Sequence, residues 1–237
     1  MKWRGSNPEV QAPEYLTLRA RLEEVQANTR LYVPAETLAV TERAIADLRQ
    51  SGIAEHVLSV GARAPEFELA DGNGKMFRSA ELLAQGRLVI SFYRGRWCPY
   101  CVAELESLQT ALPQIQAAGA SLVAISPQTP KHSGFTADQH ELRFPILSDP
   151  GNRVARQFGL AYRLPQELEH LYRAIFINLP NSNGDQSWEL PLPATYILER
   201  DGAVLYAFAD PDHMRRAEPA ELLERLRRDN SSISPNL

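Results

Sequence analysis

The sequence predicts an α/β protein with a mixed sheet and a helical extension at its N-terminus. Strand-like apolar segments at 88–93 and 120–125 flank a segment at 102–118 whose apolar residues have helical spacing. The order strand–helix–strand implies a right-handed crossover and therefore a parallel pair of strands. Two more strand-like segments, at 195–199 and 204–208, are joined by a short turn and predict an antiparallel hairpin.

Composition and charge are those of a globular protein and exclude several classes of function. Of the 237 residues, 44% are hydrophobic and 23% are charged, which fits one substantial domain with an extension. The formal net charge of −4 gives no reason to expect nucleic acid or an anionic membrane as a partner. No apolar run is long enough to span a bilayer, and the N-terminus lacks the apolar core of a secretory signal. We therefore expect a cytoplasmic protein, in which a permanent structural disulfide is disfavoured.

Two helices are predicted in the first part of the chain, residues 1–59. From Pro13 onwards, apolar residues recur at steps of three and four, at Tyr15, Leu18, Leu22 and Val25. A second helix is predicted to begin at Pro34 and to end near Gly52. We expect this extension to pack on the domain that follows it. The alternative is a lid or the interface of a homodimer.

The remaining predicted elements continue the α/β order. They are short strands at 64–69 and 144–148, helical segments at 79–83, 129–141, 165–172 and 218–228, and a helix that follows the turn at 149–152 and ends around 158–159. The pattern is less regular between 160 and 190, where residues 181–185 are expected to form an exposed loop. Residues 60–229 are thus expected to form the main domain, and residues 230–237 a disordered tail.

The chain contains only two cysteines, Cys98 and Cys101, which open the helical segment directly after the strand at 88–93. At a helix N-terminus, unpaired backbone N–H groups and the helix dipole favour a negative charge. Two cysteines three residues apart on a helix also lie on one face, close enough to form a disulfide. The pattern therefore predicts a reactive dithiol.

The two thiols are expected to differ in their roles. Cys98, at or near the N-cap, is predicted to be exposed and to attack first, its pKa lowered by the helix and the flanking arginines. Cys101, one turn further on, is predicted to be more buried and to resolve the intermediate. Pro99 suits the first helical position, where it costs no hydrogen bond.

Metal binding is a weak alternative for the cysteine pair. Cys-x-x-Cys is also half of a zinc site, but the chain has no further cysteine and its five histidines show no paired spacing. We therefore predict neither a metal nor a cofactor. His213 and the pair Arg215-Arg216 have no predicted role and are expected at the surface, and Trp188 is expected in the core or in a pocket wall.

Two local patterns resemble known redox proteins. Trp97-Cys98-Pro99-Tyr100-Cys101 resembles the Trp-Cys-x-x-Cys of thioredoxins, and its Pro-Tyr centre is similar to that of glutaredoxins. Leu192-Pro193-Ala194-Thr195 resembles the cis-proline loop that faces the dithiol in thioredoxin folds. With the order of elements, this resemblance implies a thioredoxin-like three-layer α/β/α sandwich. It also implies that a cis-Pro193 faces Cys98. We expect Trp97 to shield the dithiol rather than to be an ordinary core residue.

The segments at 64–69, 89–93 and 147–150 resemble the peroxiredoxins of the alkyl hydroperoxide reductase/thiol-specific antioxidant (AhpC/TSA) type. The match is closest to their peroxiredoxin-like branch that carries Cys-x-x-Cys, and it covers residues 60–229. This resemblance implies an antioxidant enzyme that reduces peroxides and forms a Cys98–Cys101 disulfide. Its implied reductant is thioredoxin, glutaredoxin or a low-molecular-weight thiol.

The sequence departs from the peroxiredoxin pattern around the dithiol. Peroxiredoxins place Pro-x-x-x-Thr-x-x-Cys around the cysteine that attacks peroxide. Alignment on Cys101 puts Arg94 at the proline position and Cys98 at the threonine position. Glu104 then falls on the glutamate that commonly follows, and the arginine supplied from a strand near the hairpin falls at or beside Pro193. The hydroxyl and the guanidinium that orient a peroxide are therefore missing, and the two arginines before the dithiol are the candidate replacements.

Three functions remain open on the sequence. In the first, favoured by the resemblance, a peroxide oxidises Cys101 (by alignment) or Cys98 (by helix position), and the other cysteine condenses with the sulfenic acid. In the second, Cys98 attacks a partner disulfide and Cys101 releases the product. In the third, the chain is a non-enzymatic binding module with a thioredoxin fold. The predicted site consists of Cys98 and Cys101 with the supporting residues Arg94, Arg96, Trp97, Pro99, Tyr100, Glu104, Pro193 and Thr195.

Overall fold

The protein is represented by a computed structural model that describes residues 17–230. The strands are β1 Glu68–Asp71, β2 Met76–Arg78, β3 Arg87–Phe92, β4 Ala120–Ser126, β5 Ile146–Ser148, β6 Ala161–Arg163, β7 Glu189–Pro191, β8 Ala194–Leu198 and β9 Val204–Ala209. The helices are α1 Leu18–Tyr32, α2 Ala35–Gln50, α3 Ser79–Gln85, α4 Pro99–Ala117, α5 Pro130–Gln139, α6 Arg153–Gln157, α7 Gln166–Ala174, α8 Leu179–Asn183 and α9 Pro219–Asn230.

Seven strands form one mixed sheet in the order β2-β1-β5-β4-β3-β8-β9. Strands β3, β4 and β5 are parallel neighbours in its centre, with Val89 opposite Leu122 and Ile125 opposite Leu147. Strand β8 pairs antiparallel with β3 on one side and with β9 on the other. The parallel crossover and the antiparallel hairpin expected from the sequence are therefore both confirmed.

Alternation along β3 divides the core between the two faces of the sheet. Val89 belongs to a buried cluster with Leu105 of α4 and Leu222 of α9. Ile90 points to the other face, into a second buried cluster that contains Phe158. Helices therefore cover both faces, and the expected three-layer α/β/α arrangement is confirmed.

The N-terminal helices pack against the rest of the chain. Leu22 and Val25 of α1 pack against the core cluster around α4, and Arg21 donates a hydrogen bond of 3.1 Å to Ser107 Oγ. Helix α2 lies beside α7. Within residues 17–230, no helix has both the length and the apolar character that crossing a membrane requires.

Several element boundaries differ from the expected ones. Helix α1 begins at Leu18, and the predicted start at Pro13 lies outside the described residues, as does most of the predicted C-terminal tail. Pro34 is the N-cap of α2 rather than its first residue. The prediction of an exposed loop at 181–185 is wrong for residues 181–183, which belong to the short helix α8 with Asn178 as its N-cap.

Residues 160–190 form a small layer of their own beside the dithiol helix. Strands β6 and β7 pair antiparallel, and with α7 they enclose a third buried cluster that includes Leu168, Tyr172 and Trp188. The side chains of α2 and Trp97 pack against this cluster. Trp188 is thus a core residue, as expected, and the layer connects α2 with the turn that precedes the cysteines.

Gly159 lies against the segment that follows α2, and its replacement by alanine is predicted to destabilise the fold. Gly159 has a φ of +72°, and an added Cβ atom would lie 1.9 Å from the carbonyl oxygen of His56. We expect Gly159→Ala to lower the free energy of unfolding by about 3 kcal/mol or more, since backbone strain adds to displacement of the neighbouring chain. Urea unfolding followed by tryptophan fluorescence measures this loss.

Gly74→Ala is the matched control for this substitution. Gly74 has a φ of +80°, but an added Cβ atom there would meet nothing within 4 Å. It should therefore cost only the strain of a left-handed alanine, about 1 kcal/mol. Equal losses for the two variants would contradict the close approach of Gly159 to His56.

Candidate active site

The dithiol follows β3 where the sequence places it. Cys98 is the N-cap of α4, and Pro99 is the first residue of the helix. The Cys98 N–H donates a hydrogen bond of 3.1 Å to the carbonyl oxygen of Gly95. Gly95 has a φ of +152°, and an added Cβ atom would lie 2.5 Å from Trp97 Nε1. A glycine at this turn therefore lets the Trp97 indole fold back over the chain.

Both thiols are unbonded and buried, so the prediction that Cys98 is exposed is wrong. Cys98 is 2% exposed and Cys101 is 0% exposed. Trp97 packs against the cluster that holds both sulfurs, and the Tyr172 ring of α7 meets Trp97 edge-on with ring centroids 5.3 Å apart. The helix position predicts exposure only where no distant segment covers the N-terminus, and here the layer 160–190 covers it.

The Arg94 side chain is buried beside Cys98 and points inward. Its Nη1 atom lies 3.9 Å from Cys98 Sγ, and its Nη2 atom donates a hydrogen bond to the Tyr172 hydroxyl. The guanidinium carbon lies 5.0 Å from the centroid of the Trp97 ring. The Nε atom has no hydrogen-bond partner among the described residues. Aromatic side chains thus hold a cation next to the sulfur.

A second buried cation, Arg216, lies beside Cys101. Its Nη2 atom is 3.4 Å from Cys101 Sγ, its Nε atom donates to Glu104 Oε2 at 2.6 Å, and its Nη1 atom donates to the carbonyl oxygens of His213 and Arg215. The expectation of a solvated basic face is therefore wrong for Arg216. The loop between β9 and α9 turns this side chain inward, because the buried Glu104 carboxylate requires a cationic partner.

Glu104 links Arg216 to the sheet. Its Oε1 atom accepts hydrogen bonds from Thr195 Oγ1 at 3.2 Å and from Ser91 Oγ at 3.4 Å. Burial raises the pKa of Glu104 to about 7, against the opposing effect of the Arg216 guanidinium. Of the predicted supporting residues, Glu104 and Thr195 thus belong to a hydrogen-bonded chain that reaches Cys101 Sγ through Arg216.

The surroundings give the two thiols opposite pKa shifts. Burial by itself would raise the pKa of Cys98, but hydrogen bonds from Cys101 and the charges of Arg94 and Arg216 outweigh it and lower the pKa. Burial, followed by the adjacent Cys98 sulfur, raises the pKa of Cys101 well above its ordinary value. Arg216 lies closer to the Cys101 sulfur than Arg94 lies to the Cys98 sulfur. Its effect on the Cys101 pKa is nevertheless limited, because Arg216 is also paired with Glu104. The hydrogen bonds at the N-cap therefore favour the thiolate at Cys98.

The other predicted supporting residues lie in different surroundings. Arg96 is exposed, so Arg94 is the inward cation of the two. Tyr100 is buried, and its ring meets His213 edge-on with centroids 5.6 Å apart. His213, expected at the surface, is half-buried, and burial and then Arg94 and Arg216 hold its pKa well below the ordinary value.

Pro193 is buried directly before β8, but it is not a cis-proline. No cis peptide bond occurs among the described residues, so the prediction of a cis-Pro193 is wrong. The chain runs straight from Pro191 of β7 to Ala194 of β8, and the Leu192 N–H donates to the Leu160 carbonyl at 2.8 Å. An extended connection of this kind uses the trans bond that proline prefers in any case.

Sequence reasoning missed Tyr172 and Arg216. Tyr172 falls in the helix predicted at 165–172, but nothing in that helix marks its hydroxyl as a partner of Arg94. A buried glutamate at position 104 requires a cationic partner, but the sequence does not show which of the 25 lysines and arginines is that partner. Both contacts depend on the tertiary fold.

The site is unsuited to a cation. Within residues 17–230, no group of three or more His, Cys, Asp or Glu side chains is arranged to hold a metal ion. The two sulfur atoms face the guanidinium groups of Arg94 and Arg216, which repel a positive ligand.

Fold and site together define a thioredoxin-like protein with a dithiol at a helix N-terminus. A model of the AhpC/TSA family matches residues 60–207. The chain therefore belongs to the AhpC/TSA family, which confirms the resemblance noted in the sequence.

Known relatives carry peroxiredoxin names. Peroxiredoxin Bcp of Escherichia coli is 29% identical over 103 residues, which make up 44% of this chain and 65% of the relative. A bcp protein of Haemophilus influenzae, also named as a peroxiredoxin, is 32% identical over 103 residues, 44% of this chain and 66% of the relative. The chain thus spans slightly less than two thirds of the length of these relatives. Peroxidoxin BcpB from Mycobacterium tuberculosis shares the fold, with a TM-score of 0.57 and 23% identity over 75% of this chain and 99% of that chain.

Cys98 should be alkylated at pH values where an ordinary thiol is inert. Only the thiolate reacts, and the pKa of Cys98 is lowered, so its labelling rate should rise with pH through a midpoint below about 8.5. Cys101, with its raised pKa, should be labelled only at higher pH. Brief exposure to iodoacetamide across the pH range, followed by peptide mass spectrometry, measures both rates.

Two arginine variants make this test specific. Arg94→Gln removes the cation nearest to Cys98 and should move the midpoint upward by about one pH unit or more. Arg96→Gln removes an exposed charge and should leave the midpoint almost unchanged. Faster labelling of Cys101 than of Cys98 at low pH would contradict the assignment of the thiolate.

Proposed function

We propose that this protein is a thiol-dependent peroxidase that works through Cys98 and Cys101. The observation that carries the proposal is the pair of buried guanidinium groups, of Arg94 and Arg216, which lie 3.9 and 3.4 Å from the two sulfur atoms. Such cations stabilise a thiolate, and they also stabilise the negative charge that develops on a peroxide oxygen as its O–O bond breaks. Membership of the AhpC/TSA family and the peroxiredoxin names of the relatives support the same function.

In the first step, the Cys98 thiolate attacks the terminal oxygen atom of a hydroperoxide. An S–O bond forms, the O–O bond breaks, and the alkoxide leaves as an alcohol after it takes a proton from solvent. Cys98 becomes a sulfenic acid, so sulfur is oxidised by two electrons and the peroxide is reduced by two. Arg94, beside the sulfur, orients the peroxide and stabilises the departing oxygen atom.

In the second step, Cys101 resolves the sulfenic acid. Its sulfur attacks Cys98, an S–S bond forms, the S–O bond breaks, and the hydroxyl leaves as water with the proton of the Cys101 thiol. Arg216 stabilises the negative charge on Cys101 as that proton departs. Thioredoxin, glutaredoxin or a low-molecular-weight thiol then reduces the disulfide, and we assign this cycle to the cytoplasm, where such donors are kept reduced.

Burial of the sulfur atoms favours a peroxide over a protein disulfide as the oxidant. Cys98 is 2% exposed, and a protein disulfide has to bring one of its own sulfurs into line with it. That approach requires Trp97 and Tyr172 to separate before the oxidising step, whereas a hydroperoxide group has only two oxygen atoms to admit. In the peroxidase cycle such an opening is needed only later, when a protein thiol reduces the Cys98–Cys101 disulfide. Thiol–disulfide exchange depends on such access to the attacking sulfur.

The single cysteine variants should separate the two roles. Cys101→Ser is expected to consume one equivalent of hydrogen peroxide and to accumulate a sulfenic acid on Cys98, because attack proceeds without resolution. Cys98→Ser is expected to consume peroxide at least about 100-fold more slowly, since it lacks the activated nucleophile. Stopped-flow peroxide consumption and dimedone trapping with mass spectrometry measure the two outcomes.

Two other results would overturn parts of the proposal. The reverse pattern, with a trapped sulfenic acid on Cys101 in the Cys98→Ser variant, would transfer the attack to Cys101. A wild-type protein that reduces insulin rapidly but does not consume peroxide with a thioredoxin system would exclude the peroxidase function.

Loss of the Arg94 guanidinium should be costly for peroxide reduction. Arg94→Gln is expected to lower kcat/KM for hydrogen peroxide by about 10²- to 10³-fold, the range found when one donor to a developing negative charge is removed. Arg96→Gln serves as the control, because the Arg96 side chain is exposed, and should stay within about twofold of wild type. Equal effects of the two substitutions would show that only the overall charge matters.

A further inference from the structure

Arg94 is a buried cation that has no carboxylate partner within residues 17–230. Its side chain is 2% exposed, its Nη2 atom donates to the Tyr172 hydroxyl, and its Nη1 atom lies 3.9 Å from Cys98 Sγ. Arg216, the other buried cation of the site, is instead paired with the Glu104 carboxylate at 2.6 Å. Because a buried cation without an anion is costly, the Cys98 thiolate is the anion that balances Arg94.

Oxidation of the dithiol removes this anion. In a Cys98–Cys101 disulfide both sulfur atoms are neutral, whereas a guanidinium keeps its charge. Arg94 is then a buried cation without a counter-ion. An anion from solution is therefore favoured beside Arg94 more strongly in the disulfide form than in the thiolate form.

A cavity of about 200 Å³, lined in part by Arg94, lies between α2, the segment from β6 to α7, and the loop after β9. Its walls are mainly apolar, with Ala44, Ile45 and Leu48 on the α2 side and Leu168 on the α7 side. An apolar cavity of about 150 Å³ is large enough to bind benzene. This space is therefore sufficient for a phenyl ring or a branched alkyl group.

The polar side chains that line this cavity beside Arg94 are hydrogen-bond donors. The buried Arg94 Nε atom has no partner among the described residues. Burial raises the pKa of Tyr162, and the nearby Arg94 opposes that rise, so a protonated hydroxyl lies close to the guanidinium. Burial and then Arg94 hold the pKa of His213 well below its ordinary value, and a neutral imidazole also donates one N–H. Asp47 and Arg163 line the cavity as exposed residues of opposite charge.

We propose that this cavity is a binding site for an organic monocarboxylate with an apolar body, and that the ligand binds the disulfide form more tightly than the thiolate form. The carboxylate lies at Arg94 and Tyr162, and the apolar body lies against Ala44 and Leu48. The residues that line the cavity include neither cysteine, so the ligand acts on Cys98 through the shared guanidinium. The inference rests on the proposed cycle between thiolate and disulfide, but not on a peroxide as the oxidant.

Calorimetric titration with phenylacetate at about pH 7.5, where a Cys98 of lowered pKa is a thiolate, tests the coupling. We expect the Kd of the disulfide form, prepared with diamide, to be at least about fivefold lower than that of the dithiol form, the lower end of typical coupling between two sites. Reduced Cys98→Ser, which lacks the thiolate, should bind like the disulfide form. Equal Kd values for the disulfide and dithiol forms of the wild type would overturn the coupling.

The charge of the ligand is tested with phenylacetamide, which has nearly the same shape. It should bind the disulfide form at least about tenfold more weakly than phenylacetate, because a hydrogen bond to a charged group is the stronger one. Arg94→Gln should remove this difference, and Arg96→Gln, which alters an exposed residue, should retain it. Equal binding of the two ligands to the wild type would overturn the role of Arg94.

The position of the ligand is tested by filling the cavity. Ala44→Phe should abolish phenylacetate binding, whereas the matched control Ala46→Phe should bind like the wild type, since Ala46 is exposed on the same helix. Ala44→Leu fills the cavity partly and should weaken binding to an intermediate degree, which serves as a check if the phenylalanine variant does not fold. Undiminished binding by both Ala44 variants would exclude this cavity.

Alkylation of Cys98 gives a second readout of the same coupling. At the pH of half-maximal labelling, saturating phenylacetate should slow the reaction of reduced Cys98 with iodoacetamide by about threefold, because fivefold coupling leaves about one sixth of this thiol ionised. Phenylacetamide should leave the rate unchanged. An unchanged rate with phenylacetate would overturn the action through Arg94.

Failure of this proposal is distinguishable from failure of the peroxidase function. If phenylacetate prefers the disulfide form but the protein consumes no peroxide, the carboxylate site stands and the peroxidase function falls. If peroxide is consumed but phenylacetate binds neither form, the carboxylate site falls and the peroxidase function stands.

Discussion

A dithiol buried between two guanidinium groups is the constraint on which the rest of the structure depends. Removal from water disfavours a thiolate, so a buried Cys98 becomes a nucleophile only if nearby charges and hydrogen-bond donors compensate. Hydrogen bonds from Cys101, in the first turn of α4, supply the first part of this compensation. Arg94 and Arg216 supply the remainder. A buried cation is itself costly without a partner, so each arginine imposes further requirements on the fold.

Those requirements explain why distant segments surround the first turn of α4. Arg216 needs the Glu104 carboxylate, and Glu104 in turn accepts a hydrogen bond from Thr195 of β8. Arg94 needs the Tyr172 hydroxyl of α7. The loop after β9, strand β8 and the layer at 160–190 are therefore joined to the dithiol by polar contacts as well as by apolar packing. The same layer and loop also meet α2, and a cavity between these three segments is lined by α2 residues and by Arg94.

Local patterns are sufficient to predict the elements and the position of the dithiol, but they do not predict its surroundings. The strand at 88–93 and the Cys-x-x-Cys pair at the following helix N-terminus depend on periodicity and on the chemistry of adjacent residues. The burial of Cys98 depends on Tyr172 and its neighbours, and the inward turn of Arg216 depends on Glu104, which lies 112 positions away. A trans Pro193 depends on the extended path between two strands of different sheets. In each case the contact that determines the arrangement joins residues that are far apart in the chain, so local sequence patterns do not predict it.

The departures from the peroxiredoxin pattern have a physical explanation in this arrangement. Cys98 occupies the position of the peroxiredoxin threonine. The chain therefore has a thiol with a lowered pKa where peroxiredoxins have a hydroxyl group. The position of the strand arginine falls at or beside Pro193, yet Arg216 brings a guanidinium to Cys101 from a loop beyond residue 207, where the family match ends. Alignment by itself therefore indicates a site without its arginine. The three-dimensional structure contains two guanidinium groups beside the dithiol, and one of them, that of Arg216, comes from outside the segment by which the family is recognised.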